Sequence, residues 1–557
     1  MAAAFCLTMA SGVACRKQTT ASVARLAILP FENLSGDGGL DWISAAVPPI
    51  LQAQLSGQST SVGHLLAHAS DAGRVEAAEL ISGYFFMHGK RLRGALVVED
   101  AATNSTRTIV ADGNDVVSLI EALSSQLGLP VRAVGTRNNK ALEEYGRSLR
   151  EKDRTARIEL LESAVKADPG FGVAWVELAN RTASTEIALR ALQQKTLPAL
   201  ERAALNFRAI AADAPVALRL KRFEELAEQY PADAKIATEM AEFATNARRL
   251  DVALRWYTKV TELNPNAPQS WNLKAYVEVF LDNYKAAYQS VARYKALAPE
   301  DPNTQDSLGE IQYMFGKFAE AEEAFKAGFS KSPSFLGGTL LRKAAWARLR
   351  LGDLKGADAN FGEYIEYRKS INDPFVEQRL GIWEYLSGNP AAGKARLEKF
   401  AADGKHPAAY AQLAVWARLE GDRTKAEQFA RMAVQTLAAM PQARGAVSIA
   451  AVLSQPDAGA EVWKTRFNDQ PVAAIGMLLS GHYEEASAYL ERAREKMSPL
   501  SESYWRDLHA VALYKSGKKE QSAKLLARYC LPENEEDSIL LGFAYPAESE
   551  IRKVLLK

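Results

Sequence analysis

The chain has 557 residues, with 68 Lys and Arg against 67 Asp and Glu, so its net charge of +1 offers no overall basic excess to attract nucleic acid. Hydrophobic residues make up 48% and charged residues 24%, which suits buried cores and excludes a largely disordered chain. Three cysteines exclude a disulfide-built fold, and six scattered histidines argue against a metal enzyme. The length corresponds to three or four ordinary domains or to one long repeat array.

From Ala2 to Ala14 the residues are mostly small and apolar. That run is shorter than the ~20 residues a membrane helix needs and matches the apolar part of a secretory leader. Gly12-Val13-Ala14 followed by Cys15 resembles a bacterial lipoprotein cleavage box, in which the Cys thiol takes the lipid. The sequence departs from that pattern at Gly12, where a larger aliphatic residue is usual. Arg16 and Lys17 follow the run and no Lys or Arg precedes it, so the usual basic segment would lie upstream of Met1. The resemblance implies a signal segment over residues 1–15, lipidation of Cys15, a linker over 16–24 and a lipid-anchored periplasmic protein. The alternative is the apolar start of a cytoplasmic protein. Once Cys6 leaves with the leader and Cys15 is lipidated, Cys530 remains as a small apolar side chain near the last helices. No later apolar stretch reaches spanning length.

A small α/β domain follows. Leu26 to Phe31 has strand length, and Glu32 to Gly39 has loop composition. Asp41 caps a predicted helix whose apolar face is Ile43, Ala46, Val47, Ile50 and Leu51. Pro48-Pro49 is expected to kink that helix or end its first turn. Residues 78–88 and 91–99 read as strands around a Gly89-Lys90 break, and Ser105 to Ala111 as a third strand. Asp115 to Leu127 reads as a helix with Val116, Leu119, Leu123 and Leu127 on one face. With the phrase Ala27-Ile28-Leu29-Pro30-Phe31-Glu32-Asn33-Leu34-Ser35-Gly36-Asp37, this order resembles the small domain at the amino end of TolB, over residues 25–135. That resemblance implies a non-catalytic assembly domain of the kind that precedes repeat arrays in bacterial envelope and signalling proteins. A dinucleotide reading of Gly36-Asp37-Gly38-Gly39 fails at Asp41, whose carboxylate would repel a pyrophosphate.

Pro231, Pro265, Pro299 and Pro333 are spaced by 34 residues each time. A 34-residue period with helix–turn–helix patterning identifies tetratricopeptide (TPR) repeats. Small residues let the paired helices approach, aromatics fill the wedge between units, and Pro stops the second helix. Met240-Ala241, Ala253 and Tyr257 fit this pattern, as do Trp271, Ala275 and Ala287. Leu308-Gly309, Gly316, Ala321 and Phe325 come next, then Gly352-Asp353, Ala357 and Phe361. The regular array is assigned to residues 231–370, with degenerate helical repeats over 138–230 and 371–557, about ten helical pairs in all. Pro441 to Asp469 is out of phase, and a bend or irregular helices are expected there. The predicted fold class is mainly α, a TPR-type helical-hairpin solenoid preceded by a small α/β domain.

Such repeats stack into an extended concave surface lined by the first helix of each unit. The family pattern places Lys235, Thr238, Glu242 and Asn246 there from one unit, and Asn272, Tyr276 and Phe280 from the next. Asp306, Glu310 and Tyr313 follow, then Arg342, Trp346 and Arg350. Aromatic and polar groups interleaved in this way suit an extended peptide or partner helix. The plain alternative is that Tyr276, Phe280 and Trp346 pack between units. Thr238 and Glu242 stand where chaperone-tail grooves carry Lys and Asn, so a carboxylate clamp is not expected.

Catalytic signals are weak. Gly388-Asn389-Pro390-Ala391-Ala392-Gly393-Lys394-Ala395 comes close to a P-loop, but Ala395 lacks the hydroxyl that would hold Mg²⁺ and no strand precedes it. His64 and His68 could share a helix face, without a Glu or Cys to complete a zinc set. The expected function is a non-enzymatic scaffold that binds a protein or peptide, with no cofactor, no metal and no nucleic acid, held at the membrane through a lipid anchor. The alternatives are a cytoplasmic signalling adaptor and a repeat-bearing enzyme such as a transferase.

Overall fold

The computed structural model describes residues 24–55, 61–69, 77–210, 214–453, 459–466, 473–496, 499–529 and 551–555. Cys15 and Cys530 lie outside the described residues. The chain divides into two compact units, Met1–Ala237 and Thr238–Lys557. No helix among the described residues is long and apolar enough to cross a membrane.

The first unit opens with β1 (Ala24–Asn33), α1 (Asp41–Leu55), β2 (Ser61–Leu65), β3 (Glu79–His88), β4 (Arg91–Asp100), β5 (Thr106–Gly113) and α2 (Val116–Ser124). The sheet order is β2-β1-β3-β4-β5. β1 runs parallel to both neighbours, and β3, β4 and β5 form an antiparallel meander. The turn from β3 to β4 needs a left-handed residue, which Gly89 supplies at φ +64°. Asp115 and Ser118 close a capping box at the start of α2. One alternative falls away and one expectation changes. α1 continues through Pro48 and Pro49 instead of ending there. Ile43, Val47, Ile50 and Leu51 are buried along its face, and that packing offsets the backbone bonds the prolines cannot donate. His64 lies in β2, paired in register with Ala27, so it shares no helix face with His68. A five-residue edge strand containing Gly63 has too little alternation to be read from sequence. Burial pushes the His64 imidazole below its usual value, against the nearby Asp233 carboxylate and with Arg25 and Lys235.

Helices α3 (Asn139–Arg150), α4 (Arg154–Ala167), α5 (Gly172–Thr182), α6 (Thr185–Leu192), α7 (Ala199–Arg208) and α8 (Val216–Gln229) follow. One hydrophobic core runs from Leu26 and Ile50 through Leu142 and Tyr145 to Trp175 and Leu205. Arg132, in the loop after α2, ties to Glu201 of α7 at 2.8 Å. The sheet therefore rests on the first helices as one body rather than ending in a free linker.

The division between units falls within α9 (Ala234–Asn246). The second unit continues with α10 (Leu250–Leu263), α11 (Pro268–Phe280), α12 (Tyr284–Leu297), α13 (Pro302–Met314), α14 (Phe318–Lys331), α15 (Thr339–Arg350) and α16 (Leu354–Ser370). Each repeating Pro stands two residues beyond a helix: Pro265 after α10, Pro299 after α12, Pro333 after α14. The turn inside each hairpin holds one left-handed residue, Arg248, Asp282 and Gly316, again 34 apart. Helix pairs close on small residues. A Cβ added at Gly309 would stand 2.6 Å from the Phe325 ring, and Ala321 and Ala357 are fully buried. These are helix hairpins of the tetratricopeptide type, stacked as a solenoid.

Helices α17 (Val376–Leu386), α18 (Pro390–Ala401), α19 (Pro407–Leu419) and α20 (Arg423–Thr436) extend the hairpin pattern. Two 3₁₀ turns, Leu437–Ala439 and Pro441–Ala443, break the phase before α21 (Arg444–Leu453) and α22 (Ala460–Arg466); the second turn and the short helices fall in the block where a bend or irregular helices are expected. The described helices end with α23 (Ala473–Leu479), α24 (Tyr483–Lys496), α25 (Pro499–Lys515) and α26 (Lys519–Leu526), and residues 551–555 are helical.

Asp373, between α16 and α17, is 2% exposed and receives Arg368 and Arg379, each at 2.7 Å. Burial alone would raise its pKa, but hydrogen bonds from both arginines outweigh that and hold it at about 2. The folded value lies below the unfolded one, so the stabilisation is present above about pH 4 and lost as pH falls through about 2. It amounts to about 2 kcal/mol. Denaturant titrations of the wild type and Asp373→Asn should show a stability gap at neutral pH that closes between about pH 4 and pH 2.

Candidate functional site

The first helices of successive units, α9, α11 and α13, present one cavity of about 490 Å³. Its wall includes Glu242 and Asn246 of α9, Asn272, Tyr276 and Phe280 of α11, and Asp306 and Glu310 of α13. Pro499, at the start of α25, also borders it. The 34-residue period brings these side chains together because equivalent helical positions face the same way in each unit. Tyr276 and Phe280 are one turn apart, with ring centres separated by 6.5 Å. Both rings are half-buried, and Glu242 and Asn246 are exposed.

Beneath this cavity lies a buried charge network. Lys343 of α15 is 1% exposed and places its ammonium 2.7 Å from Asp306 and 2.5 Å from Glu310. Asp306 and Glu310 are four apart on α13, so one cation reaches both. The Tyr276 hydroxyl donates to Glu310. Burial, and then the charge of Glu310, push the Tyr276 phenol well above its ordinary value, so it stays a donor.

Farther along, Tyr313, Arg342 and Trp346 are buried, at 0%, 3% and 3% exposure. Trp346 packs edge-on against Trp383 of α17 at 5.8 Å, and Trp383 stacks on Phe361 at 4.4 Å. Arg350 donates to the Tyr313 hydroxyl at 3.2 Å and lies 3.9 Å from Asp507 of α25. Lys235 is exposed and does not line the cavity. The sequence-assigned surface therefore splits into an exposed or half-buried part, Glu242, Asn246, Tyr276 and Phe280, and a buried part, Asn272, Asp306, Glu310, Tyr313, Arg342 and Trp346.

The cover comes from the chain itself. The Tyr529 amide donates to the Met314 carbonyl at the end of α13 at 2.9 Å. Its ring meets Phe318 edge-on at 4.7 Å and Tyr313 at 6.5 Å. The guanidinium groups of Arg350 and Arg552 lie 5.2 Å and 3.7 Å from the centre of that ring. Arg528 donates to the Val279 carbonyl at the end of α11 and pairs with Asp282 at 2.6 Å. Helix C-terminal carbonyls lack intrahelical donors, which makes α11 and α13 natural acceptors for a crossing segment. Sequence reasoning missed Lys343, Arg528 and Tyr529. Lys343 is adjacent to an assigned position, whereas Arg528 and Tyr529 follow the last hairpin and carry no periodic signal.

Among the described residues, no group of three or more His, Cys, Asp or Glu is placed to hold a metal ion. The P-loop-like segment has structural roles instead. Gly388 forms the turn at φ +110°, the Asn389 side chain caps α18, and Lys394 pairs with Glu420 at 2.6 Å. At the other Gly-rich turn, Asp41 is held by Asn33 at 2.8 Å and by Arg150 at 3.0 Å.

No family model matches the chain. The general transcriptional corepressor ssn6 of Schizosaccharomyces pombe is 23% identical over 118 residues, which is 21% of this chain. The chain spans only 11% of that protein's length. A tetratricopeptide repeat protein from Parabacteroides merdae aligns over 47% of this chain and 93% of its own, at 15% identity and a TM-score of 0.30. MamA from Desulfovibrio magneticus RS-1 aligns over 35% of this chain and 96% of its own, at 19% identity and a TM-score of 0.26. The fold assignment rests on the helix pairs and their 34-residue spacing.

Proposed function

We propose that this chain is a non-enzymatic protein-interaction scaffold of the bacterial cell envelope, anchored through a lipid on Cys15. In this reading it holds an extended segment of a partner protein against the first helices α9, α11 and α13. The observation that carries the reading is the open cavity on those helices, flanked by a stretch where the chain's own Arg528 and Tyr529 lie against the ends of α11 and α13. A surface that seats one extended segment by backbone acceptors and aromatic contacts has the chemistry to seat another. The cavity is built on rigid stacked helices, so little ordering is required when a partner arrives.

Partner capture from a solubilised membrane fraction tests both halves. Phe280→Ala should lower partner yield about tenfold or more, as loss of an aromatic anchor does, with helical circular dichroism unchanged. Cys15→Ser should move the protein from the membrane pellet to the soluble fraction. Wild-type protein recovered from the cytosol with Met1 to Ala14 intact would overturn the envelope assignment. An unchanged yield from Phe280→Ala would overturn the groove.

A further inference from the structure

The open cavity carries a chemical preference. Its described lining includes three carboxylates, Glu242, Asp306 and Glu310, and no Lys, Arg or His. Lys343 engages Asp306 and Glu310 from α15, and Glu242, exposed on α9, presents its carboxylate at the cavity mouth. Asn272 supplies an independent sign of a missing ligand. It is 5% exposed, lines the cavity, and its Oδ1 has no hydrogen-bond partner. Buried side-chain acceptors are nearly always paired, so a donor is expected at this one. The half-buried faces of Tyr276 and Phe280 stand beside it.

Resting on the groove reading above, we propose that this cavity is the anchor pocket for an arginine side chain of an extended partner peptide. A guanidinium is planar and carries five N–H donors, so one group can serve both the Asn272 Oδ1 and the Glu242 carboxylate. The same plane stacks on aromatic faces, a contact that a compact ammonium makes less well. The volume of about 490 Å³ lies within the ~300–1,000 Å³ typical of ligand pockets and leaves room for backbone beside the side chain. The chain's own Arg528 and Arg552 do not fill it: the first is held at Val279 and Asp282, the second at Tyr529 and Asp507. An acidic peptide would be repelled by the exposed Glu242 carboxylate.

Fluorescein-labelled Gly/Ser nonapeptides with one central residue test this on the full chain by anisotropy. The central residue is arginine, its neutral isostere citrulline, lysine or glutamate. The arginine peptide should bind about tenfold more tightly than the citrulline peptide, with the difference shrinking as salt is raised. Asn272→Leu and Glu242→Gln should each weaken the arginine peptide about fivefold; Glu242→Gln should leave the uncharged citrulline peptide unchanged, whereas Asn272→Leu should weaken it too, because its ureido N–H groups also donate to Oδ1. Glu242 is exposed, and Asn272→Leu removes an unpaired acceptor, so both variants should melt at or above the wild-type temperature. Equal affinity for arginine and citrulline, a lysine peptide that binds as tightly, or no effect of Asn272→Leu overturns the proposal. Undetectable binding of the arginine peptide overturns it as well. Phe280→Ala separates this from the groove reading. Peptides that bind without charge preference but are lost in Phe280→Ala keep the groove and remove the arginine. Binding that survives Phe280→Ala removes the groove itself.

Discussion

Replacing Lys343 with Met is expected to destabilise the second unit by about 3–5 kcal/mol, read from the denaturant midpoint of its unfolding transition. The side chains involved are almost wholly buried, Lys343 at 1%, Asp306 at 8% and Glu310 at 5% exposure. Taking charges out of water is costly, and the attraction between them repays that only while both signs are present. Met keeps most of the length of the apolar stem and removes the cation, so Asp306 and Glu310 lose their ammonium partner, as does the Phe325 ring, 5.7 Å from it. The triple change Lys343→Met, Asp306→Leu, Glu310→Met should recover most of the loss, because none of these three positions then buries a charge. A single variant as stable as the wild type would show that the pairing contributes nothing. Failure of the triple variant to recover would place the loss in packing rather than charge.

Gly393→Val should be comparably damaging, about 3 kcal/mol, and local to the α17–α18 hairpin. A Cβ at Gly393 would collide with the Gly381 carbonyl oxygen and stand 2.6 Å from the Tyr385 amide nitrogen. Both are backbone atoms, so no rotamer change relieves the clash and the helices must separate. Tyr385 stacks on Trp416 at 3.8 Å, and separation would disturb that contact with the next unit. Hydrogen exchange should show lost protection over residues 376–401 while α11 to α14 keep theirs, as expected when a repeat depends mainly on its neighbours. Unchanged protection there would mean that the crossing is looser than the geometry shows. The same glycine sits in the segment whose sequence comes close to a P-loop. Its role is to let two helices touch.

What the sequence reveals in this protein follows how local the physics is. The 34-residue step, the Pro residues past each second helix and the small residues at each crossing involve neighbours within one or two units. They therefore repeat visibly along the chain. Glu242, Asn272, Tyr276 and Asp306 come together for the same reason, since a fixed period puts equal positions on one face. The pairing of Lys343 with Glu310 spans 33 residues between buried positions, and a Lys beside an assigned Arg carries no mark of it. Trp346 shows a further limit: an aromatic on a first helix has the same sequence signature whether it faces a groove or, as here, the next unit. β2 was hidden because its stability comes from lying beside β1, not from its own five residues.

The contact of Arg528 with Val279 joins residues 249 apart. At roughly 5–20 residues per second, a ribosome needs ~12–50 s to make the chain between them. The hairpins α11 to α16 depend on near neighbours and can form during that interval. Throughout it, the Tyr313 and Phe318 rings and the carbonyl ends of α11 and α13 await Tyr529 and Arg528. The nascent protein thus displays an apolar seat until residues 528 and 529 have been made, and that later segment then acts as a latch on the ends of α11 and α13.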